Sequence, residues 1–253
     1  MANPLFSITN LSKTFPKGNQ GLVNINLTIF EGECLLIAGS NGSGKTLLVR
    51  ILTGLAEPTS GTVLFQGFPL QKSTGLLRRS VGLVFQNPDA QIVGETVTED
   101  IAFGPKNLGL SKDEIESQVE AALHAAGLAE KRDFLPRQLS GGEKRRLAVA
   151  GILAMGCKTV IMDEPFANLD WSGVIQVLEI IKGLKTQGRT LIILTHELEK
   201  VLAFADRLII LHKGLIRDQG KPVEVLNRLD PSYGVRDPRK QYAAVEDCTW
   251  LTE

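Results

Sequence analysis

An α/β fold built on a mostly parallel sheet is what this sequence predicts, and three observations predict it. Short apolar, β-branched runs alternate with helical stretches in the second half of the 253-residue chain, the order expected of parallel strands with helical crossovers. Strand-like runs FSITNLS and VNINLTI come early with no helical stretch between them, so extra antiparallel strands are expected near the start. Between Pro88 and about Gly156 the strand signal disappears and helical segments take over, which reads as a helical lobe inserted into the sheet domain. The length suits one α/β domain with a full core, or such a domain carrying a smaller insert.

The elements follow in order. After FSITNLS (from Phe6) and VNINLTI (from Val23), ECLLIAG (from Glu33) is a strand run that gives way at Gly39 to glycines and then to the helical run TLLVRILTGL (from Thr46). GTVLFQG (from Gly61) and VGLVF (from Val81) are the next strands. The insert contributes VTEDIAFG (from Val97), SKDEIESQVEAALHAAGL (from Ser111) and GGEKRRLAVAGILAM (from Gly141). KTVIMDE (from Lys158), TLIILT (from Thr190) and DRLIILHKGLI (from Asp206) complete the sheet. The fully apolar VGLVF, TVIM and LIIL suit strands covered on both faces. The expected organisation is residues 1–229 as one domain with 88–156 inserted, followed by a short polar tail at 230–253, where Trp250 reads as a packing residue.

Composition excludes several functions. Lys+Arg and Asp+Glu are equal at 28 each, so the whole chain offers no electrostatic case for wrapping nucleic acid or an anionic membrane surface. Cys34, Cys157 and Cys248 are odd in number and lack metal-ligand spacing, so reduced thiols are expected. No basic-apolar leader and no apolar run of roughly 20 residues is present, so a role at a membrane requires a separate embedded partner.

The stretch GSNGSGKT, Gly39 to Thr46, carries the first chemistry. It matches G-x-x-x-x-G-K-[ST], the P-loop, in which glycines let successive backbone N–H groups surround a phosphate. The backbone of Ser40, Asn41, Gly42, Ser43 and Gly44 would cradle the anion, and the following helix adds its positive end. Lys45 would reach the terminal phosphates and the Thr46 hydroxyl would ligate Mg²⁺. A second acidic motif, KTVIMDEP, ends an apolar strand in Asp163, placed to hold Mg²⁺, and Glu164, which could polarise a water attacking a γ-phosphate. A third stretch begins LSGGE at Leu139. Ser140 as N-cap and Glu143 three residues on make a capping box. That role does not account for Gly141 and Gly142, each costing roughly 0.5–1 kcal/mol against alanine in a helix.

Those residues resemble the LSGGQ signature of ATP-binding cassette (ABC) ATPases, with Glu143 in place of the final glutamine. The resemblance covers nearly the whole chain. Gln86 matches the loop glutamine that links the Mg²⁺ site to the helical lobe, Asn168-Leu169-Asp170 the loop after the acidic motif, His196 the switch histidine, and Phe15 the aromatic that stacks on adenine. It implies a P-loop NTPase of ABC ATPase fold, with an antiparallel β subdomain and an inserted helical subdomain. ATP and Mg²⁺ are the implied cofactors. Lys45, Gln86, Glu164 and His196 would be the catalytic set, and Thr46, Gln86 and Asp163 would hold the metal. In this family two cassettes face head to tail, so Ser140, Gly141 and Gly142 of one chain would complete the site of another.

The segment FQNPDAQIVGETVTEDIAFGPKNLGLS, from Phe85, is similar to the ATPase subunit of energy-coupling factor (ECF) transporters, which take up vitamins or cobalt and nickel ions. That implies a homodimer or a heterodimer with a second ABC ATPase, a transmembrane coupling subunit, a separate substrate-capture membrane protein, and a peripheral place on the cytoplasmic face of the membrane. Gln91 is carried over as a residue of the docking groove. Alternatives are a conventional ABC importer or exporter cassette and a soluble ABC ATPase acting on DNA or ribosomes. The latter lacks its expected coiled-coil insert, tandem cassette or basic surface here. A P-loop kinase would leave LSGGE and His196 unused.

Overall fold

The computed structural model describes residues 3–16 and 18–240. Its elements run β1 (Pro4–Thr14), β2 (Gln20–Phe30), β3 (Cys34–Ala38), α1 (Lys45–Leu52), β4 (Ser60–Phe65), β5 (Phe68–Pro69), α2 (Thr74–Ser80), β6 (Val81–Val84), α3 (Val97–Asn107), α4 (Lys112–Ala125), α5 (Gly141–Ala154), β7 (Thr159–Asp163), α6 (Trp171–Thr186), β8 (Thr190–Thr195), α7 (Leu198–Val201), β9 (Arg207–His212), β10 (Leu215–Gly220) and α8 (Pro222–Asn227).

Two sheets form. One is antiparallel, in the order β2-β1-β4-β5. The other, β10-β9-β3-β8-β7-β6, is parallel from β9 to β6. Strands β3, β7 and β8 are buried at every residue, as apolar runs covered on both faces must be. Their register brings the carboxyl ends to one edge: Ala38 pairs with Thr195, Asp163 with Leu194, and Val84 with Met162. In open α/β sheets that edge is where ligands bind.

Three apolar clusters hold the layers together. Leu35, Ile37, Leu48, Ile51, Phe6 and Phe65 join the parallel sheet and α1 to the antiparallel sheet. On the opposite face, Leu36, Met162, Ile193, Val177 and Ile181 pack under α6. Val97, Ile101, Leu123 and Leu147 form a cluster of α3, α4 and α5. Helix α5 serves two clusters at once, giving Ala148, Val149 and Ile152 to the sheet and Leu147, Ala150 and Ala154 to the helices. A helix buried on two sides carries apolar residues all round.

The run DRLIILHKGLI is two strands, not one. Lys213 (φ 50°) and Gly214 (φ 75°) both adopt left-handed backbone, a two-residue turn that folds β10 back on β9 with Leu215 opposite His212. Lys-Gly is a weaker signal for that turn than Asn-Gly, which is why the run reads as continuous. Beyond Asn227, Pro231–Tyr233 form a short turn in which the Tyr233 carbonyl lies 3.1 Å from His212 Nδ1. Trp250 and Cys248 lie outside the described residues.

Among the described residues no helix is long and apolar enough to cross a membrane. Burial pushes the Cys34 thiol up to about 12 and the Cys157 thiol up to about 11. With a thiolate fraction that small and no solvent access, neither is a nucleophile. A Cys248→Ser variant should therefore show no reaction with DTNB when folded and two thiols after denaturation; fast labelling of the native form would contradict this burial.

Candidate active site

The loop between β3 and α1 forms the floor of a cavity of about 280 Å³ at the carboxyl edge of the parallel sheet. Two of its glycines are forced by geometry. A Cβ on Gly39 would collide with the Leu211 carbonyl oxygen, and Gly44, the N-cap of α1, has φ 109°, closed to other L-residues without strain. The loop therefore presents backbone N–H groups and the positive end of α1 to the cavity. Phe15 stands on the lip, 43% exposed, and Gln86 and Glu164 line the cavity with the loop. Gly21 lets the Phe15 ring approach, since a Cβ there would lie 2.8 Å from Phe15 Cε2. Phe15 is thus an open aromatic face rather than a core residue. Two larger concavities, of about 520 and 720 Å³, are lined by none of the expected site residues, and a third, of about 420 Å³, is lined by His196 alone of them.

Lys45 is 6% exposed; its ammonium donates to the Gly39 carbonyl at 2.6 Å and lies 3.4 Å from Glu164 Oε1. The Thr46 hydroxyl donates to Asp163 Oδ2 at 2.8 Å. Asp163 Oδ1 is buried without a hydrogen-bond partner. Burial raises the Asp163 carboxyl above its ordinary range, and the negative Glu164 adds to that, while the Thr46 hydrogen bond, Lys45 and Arg50 oppose it. A hydroxyl beside an orphaned carboxylate oxygen, with Gln86 on the adjoining cavity wall, is a donor set that fits a hard divalent cation. Among the described residues no group of three or more His, Cys, Asp or Glu side chains could hold a metal. Mg²⁺ does not need one, since it takes one or two carboxylates and completes its shell with water and phosphate oxygens.

Glu164 is one of few non-glycine residues at positive φ (46°). This conformation is uncommon for an L-residue and clusters at functional sites. It turns the chain off β7 so that the Glu164 N–H donates to the Leu194 carbonyl at 2.8 Å while Oε2 lies 3.0 Å from His196 Nδ1. The carboxylate is buried between an ammonium and an imidazole, and the imidazole is half exposed. Such a pair suits proton transfer near a bound anion.

The glycine-rich start of α5 lies elsewhere. Ser140 caps the helix as its sequence predicts: its hydroxyl accepts from the Glu143 N–H, and Glu143 Oε2 accepts from the Ser140 N–H at 2.9 Å. Ser140 and Gly141 are exposed, and neither they nor Gly142 line the cavity that holds the loop. A Cβ on Gly141 would meet nothing within 4 Å and one on Gly142 would make only ordinary contacts, nearest 3.6 Å. Packing inside this chain therefore does not require either glycine.

Sequence reading gave Gln91 a different role and missed Arg145. The Gln91 amide is not free for a surface groove: its oxygen accepts from the Phe85 N–H at 3.1 Å and its nitrogen points at the Ala148 carbonyl, 3.4 Å away, tying the end of β6 to α5. Arg145 is 2% exposed at the junction of β6, β7 and α5. Its only sequence signal is an arginine pair in a helix too apolar to leave both in water. Asp170 of the Asn168–Asp170 loop N-caps α6 through the Gly173 N–H at 2.8 Å.

Residues 22–167 match the family model described as ABC transporter. The energy-coupling factor transporter ATP-binding protein EcfA of Methanocaldococcus jannaschii is 42% identical over 219 residues, spanning 85% of this chain and 78% of that protein. Among solved structures, cbiO1 from Clostridium perfringens, part of the ABC transporter complex cbiONQ, is 35% identical with a TM-score of 0.82, covering 89% of this chain and 91% of that one. A dimeric ATP-binding cassette in a post-hydrolysis state, bound to ADP and Pi, is 28% identical with a TM-score of 0.77, covering 86% and 98%.

Proposed function

The chain belongs to the ABC transporter family, and from that premise we propose that it is the ATP-hydrolysing subunit of an ECF-type importer, working as a pair of cassettes on the cytoplasmic face of the membrane. ATP lies with its adenine on Phe15 and its phosphates on the backbone of Ser40 to Gly44, with Lys45 on the terminal phosphates. Thr46, Asp163 and Gln86 would hold Mg²⁺, which would supply positive charge to the phosphate oxygens and the leaving group. Glu164 accepts the proton of the attacking water, and His196 and Lys45 hold its two carboxylate oxygens in place. Ser140, Gly141 and Gly142 of a second cassette cover the exposed phosphate face.

The observation that carries this reading is the separation of the two halves: a phosphate cradle with its acid–base pair at the sheet edge, and a glycine-rich helix start outside that cavity with no use for its glycines inside its own chain. ATP then favours the closed pair because only that state meets its charge from both sides, and hydrolysis removes the bridge. Both halves are present in this sequence, so a homodimer is chemically competent, as is pairing with a related chain.

We further propose residues 1–229 as the ATPase domain, 88–156 as its inserted lobe and 230–253 as a short appendage. Val93 and Phe103, 60% and 51% exposed within the segment that begins at Phe85, suit docking of a membrane coupling subunit. A separate small membrane protein captures the cargo, a vitamin or transition-metal ion. Purifying the chain with its companions from native membranes tests this: one coupling subunit plus small capture proteins is expected, whereas two ordinary permease subunits would replace the ECF reading with a conventional importer.

A further inference from the structure

Arg145 reaches four backbone carbonyls that belong to two different strand ends. Its Nη2 donates to the Gln86 carbonyl at 2.8 Å and to that of Ala167 at 3.4 Å, and its Nη1 to those of Glu164 at 3.3 Å and Phe85 at 3.5 Å. The guanidinium thus spans the exits of β6 and β7, neighbouring strands that are followed by Phe85-Gln86 and by Glu164. Its Nε is buried without a partner. Burial lowers the Arg145 pKa, and the negative Asp163 opposes that.

A side chain held this way is poorly explained by stability. Desolvating a guanidinium is costly, and well-packed apolar groups often replace buried charges at no loss of stability. Carbonyl acceptors offer no opposite charge either. What a planar, five-donor fork does supply is fixed geometry between chain segments. One of those segments is Glu164, whose left-handed backbone leaves its orientation dependent on its surroundings. Arg145 also lies five residues from Ser140 on the same rigid helix, about 7–8 Å along its axis.

We propose that Arg145 is a positioning residue that fixes the Gln86 segment, the Glu164 backbone and the start of α5 as one unit, so that movement of the inserted lobe and placement of the hydrolytic carboxylate occur together. It does not line the cavity that holds the phosphate loop and acts through these segments.

This inference rests on the ATPase reading above. The test uses the full chain with Mg-ATP, comparing wild type, Arg145→Met and Arg145→Lys for kcat, for the Kd of the analogue AMP-PNP, and for Tm. Arg145→Met is expected to lose at least tenfold in kcat with Kd within threefold of wild type, and Arg145→Lys, which keeps donors, to retain at least threefold more activity than Met. Wild-type kcat in Arg145→Met, equal activity in the two variants, or parallel loss of kcat and Kd would overturn the proposal. If the methionine variant does not fold, Arg145→Lys decides alone: reduced kcat at unchanged Kd supports the role, and either wild-type kcat or joint loss of kcat and Kd removes it. A wild-type chain without hydrolysis would sink the ATPase reading itself, whereas an active wild type with unaffected variants sinks only the role of Arg145.

Discussion

Glu164→Gln is expected to lower ATP turnover by about 10²–10⁴-fold, the range that a positioned general base contributes, while leaving ATP binding intact and trapping a dimer. The substitution keeps side-chain volume and one carbonyl oxygen, so the 3.0 Å approach to His196 Nδ1 can persist. What it removes is proton affinity and the negative charge beside Lys45. Losing that charge frees the ammonium for phosphate, so affinity should hold or rise. With hydrolysis blocked, the closed pair accumulates, because the nucleotide that bridges it is no longer cut. Sedimentation with saturating Mg-ATP should show dimer in the variant and mostly monomer when ATP is replaced by ADP. Undiminished turnover would remove Glu164 from its role. A variant that stays monomeric under saturating ATP, with its membrane companions supplied, would remove the pairing.

The parts of this site that sequence made legible are those whose chemistry is local. GSNGSGKT needs only a strand before it and a helix after it, and both are where the apolar and helical runs put them. The capping box at Ser140 is a four-residue pattern, and the same pattern recurs at Thr96 and Ser111. TVIM and LIIL announce two-sided burial because every residue of those runs is apolar or β-branched. What stayed hidden depends on residues far apart in sequence. Gln91 has the composition of a solvated loop amide, yet its partner Ala148 lies 57 residues away. Arg145 finds its strongest acceptor, Gln86, 59 residues away, and no periodicity encodes that meeting. The left-handed turn at Glu164 is likewise invisible in sequence, since glutamate has no preference for positive φ. The hairpin of β9 and β10 was hidden for a smaller reason: its Lys-Gly turn interrupts an apolar run by only two residues.

Lys45→Ala should weaken ATP binding by about 10- to 100-fold, the equivalent of one charge-assisted hydrogen-bond set worth about 1.5–3 kcal/mol. Turnover should fall further than binding, because charge on the γ-phosphate oxygens is redistributed as the bond breaks and Lys45 faces it throughout. The variant has a second effect that separates it from loss of the loop itself. Lys45 and Glu164 are 6% and 7% exposed at 3.4 Å, so truncating the lysine leaves a buried carboxylate whose remaining favourable side-chain partner, among the described residues, is His196. Removing one partner of a buried pair is destabilising, by up to about 3–5 kcal/mol where no water enters; here the open cavity admits solvent and the loss should be smaller. The double variant Lys45→Ala/Glu164→Gln relieves that stranded charge. Calorimetry should therefore place its Tm above that of Lys45→Ala, while nucleotide titration finds the two equally weak for ATP. A double variant no more stable than the single one would mean that the buried ion pair contributes nothing to holding the empty site. Recovery of ATP affinity in the double variant would show that Glu164, rather than the missing ammonium, limits binding in Lys45→Ala.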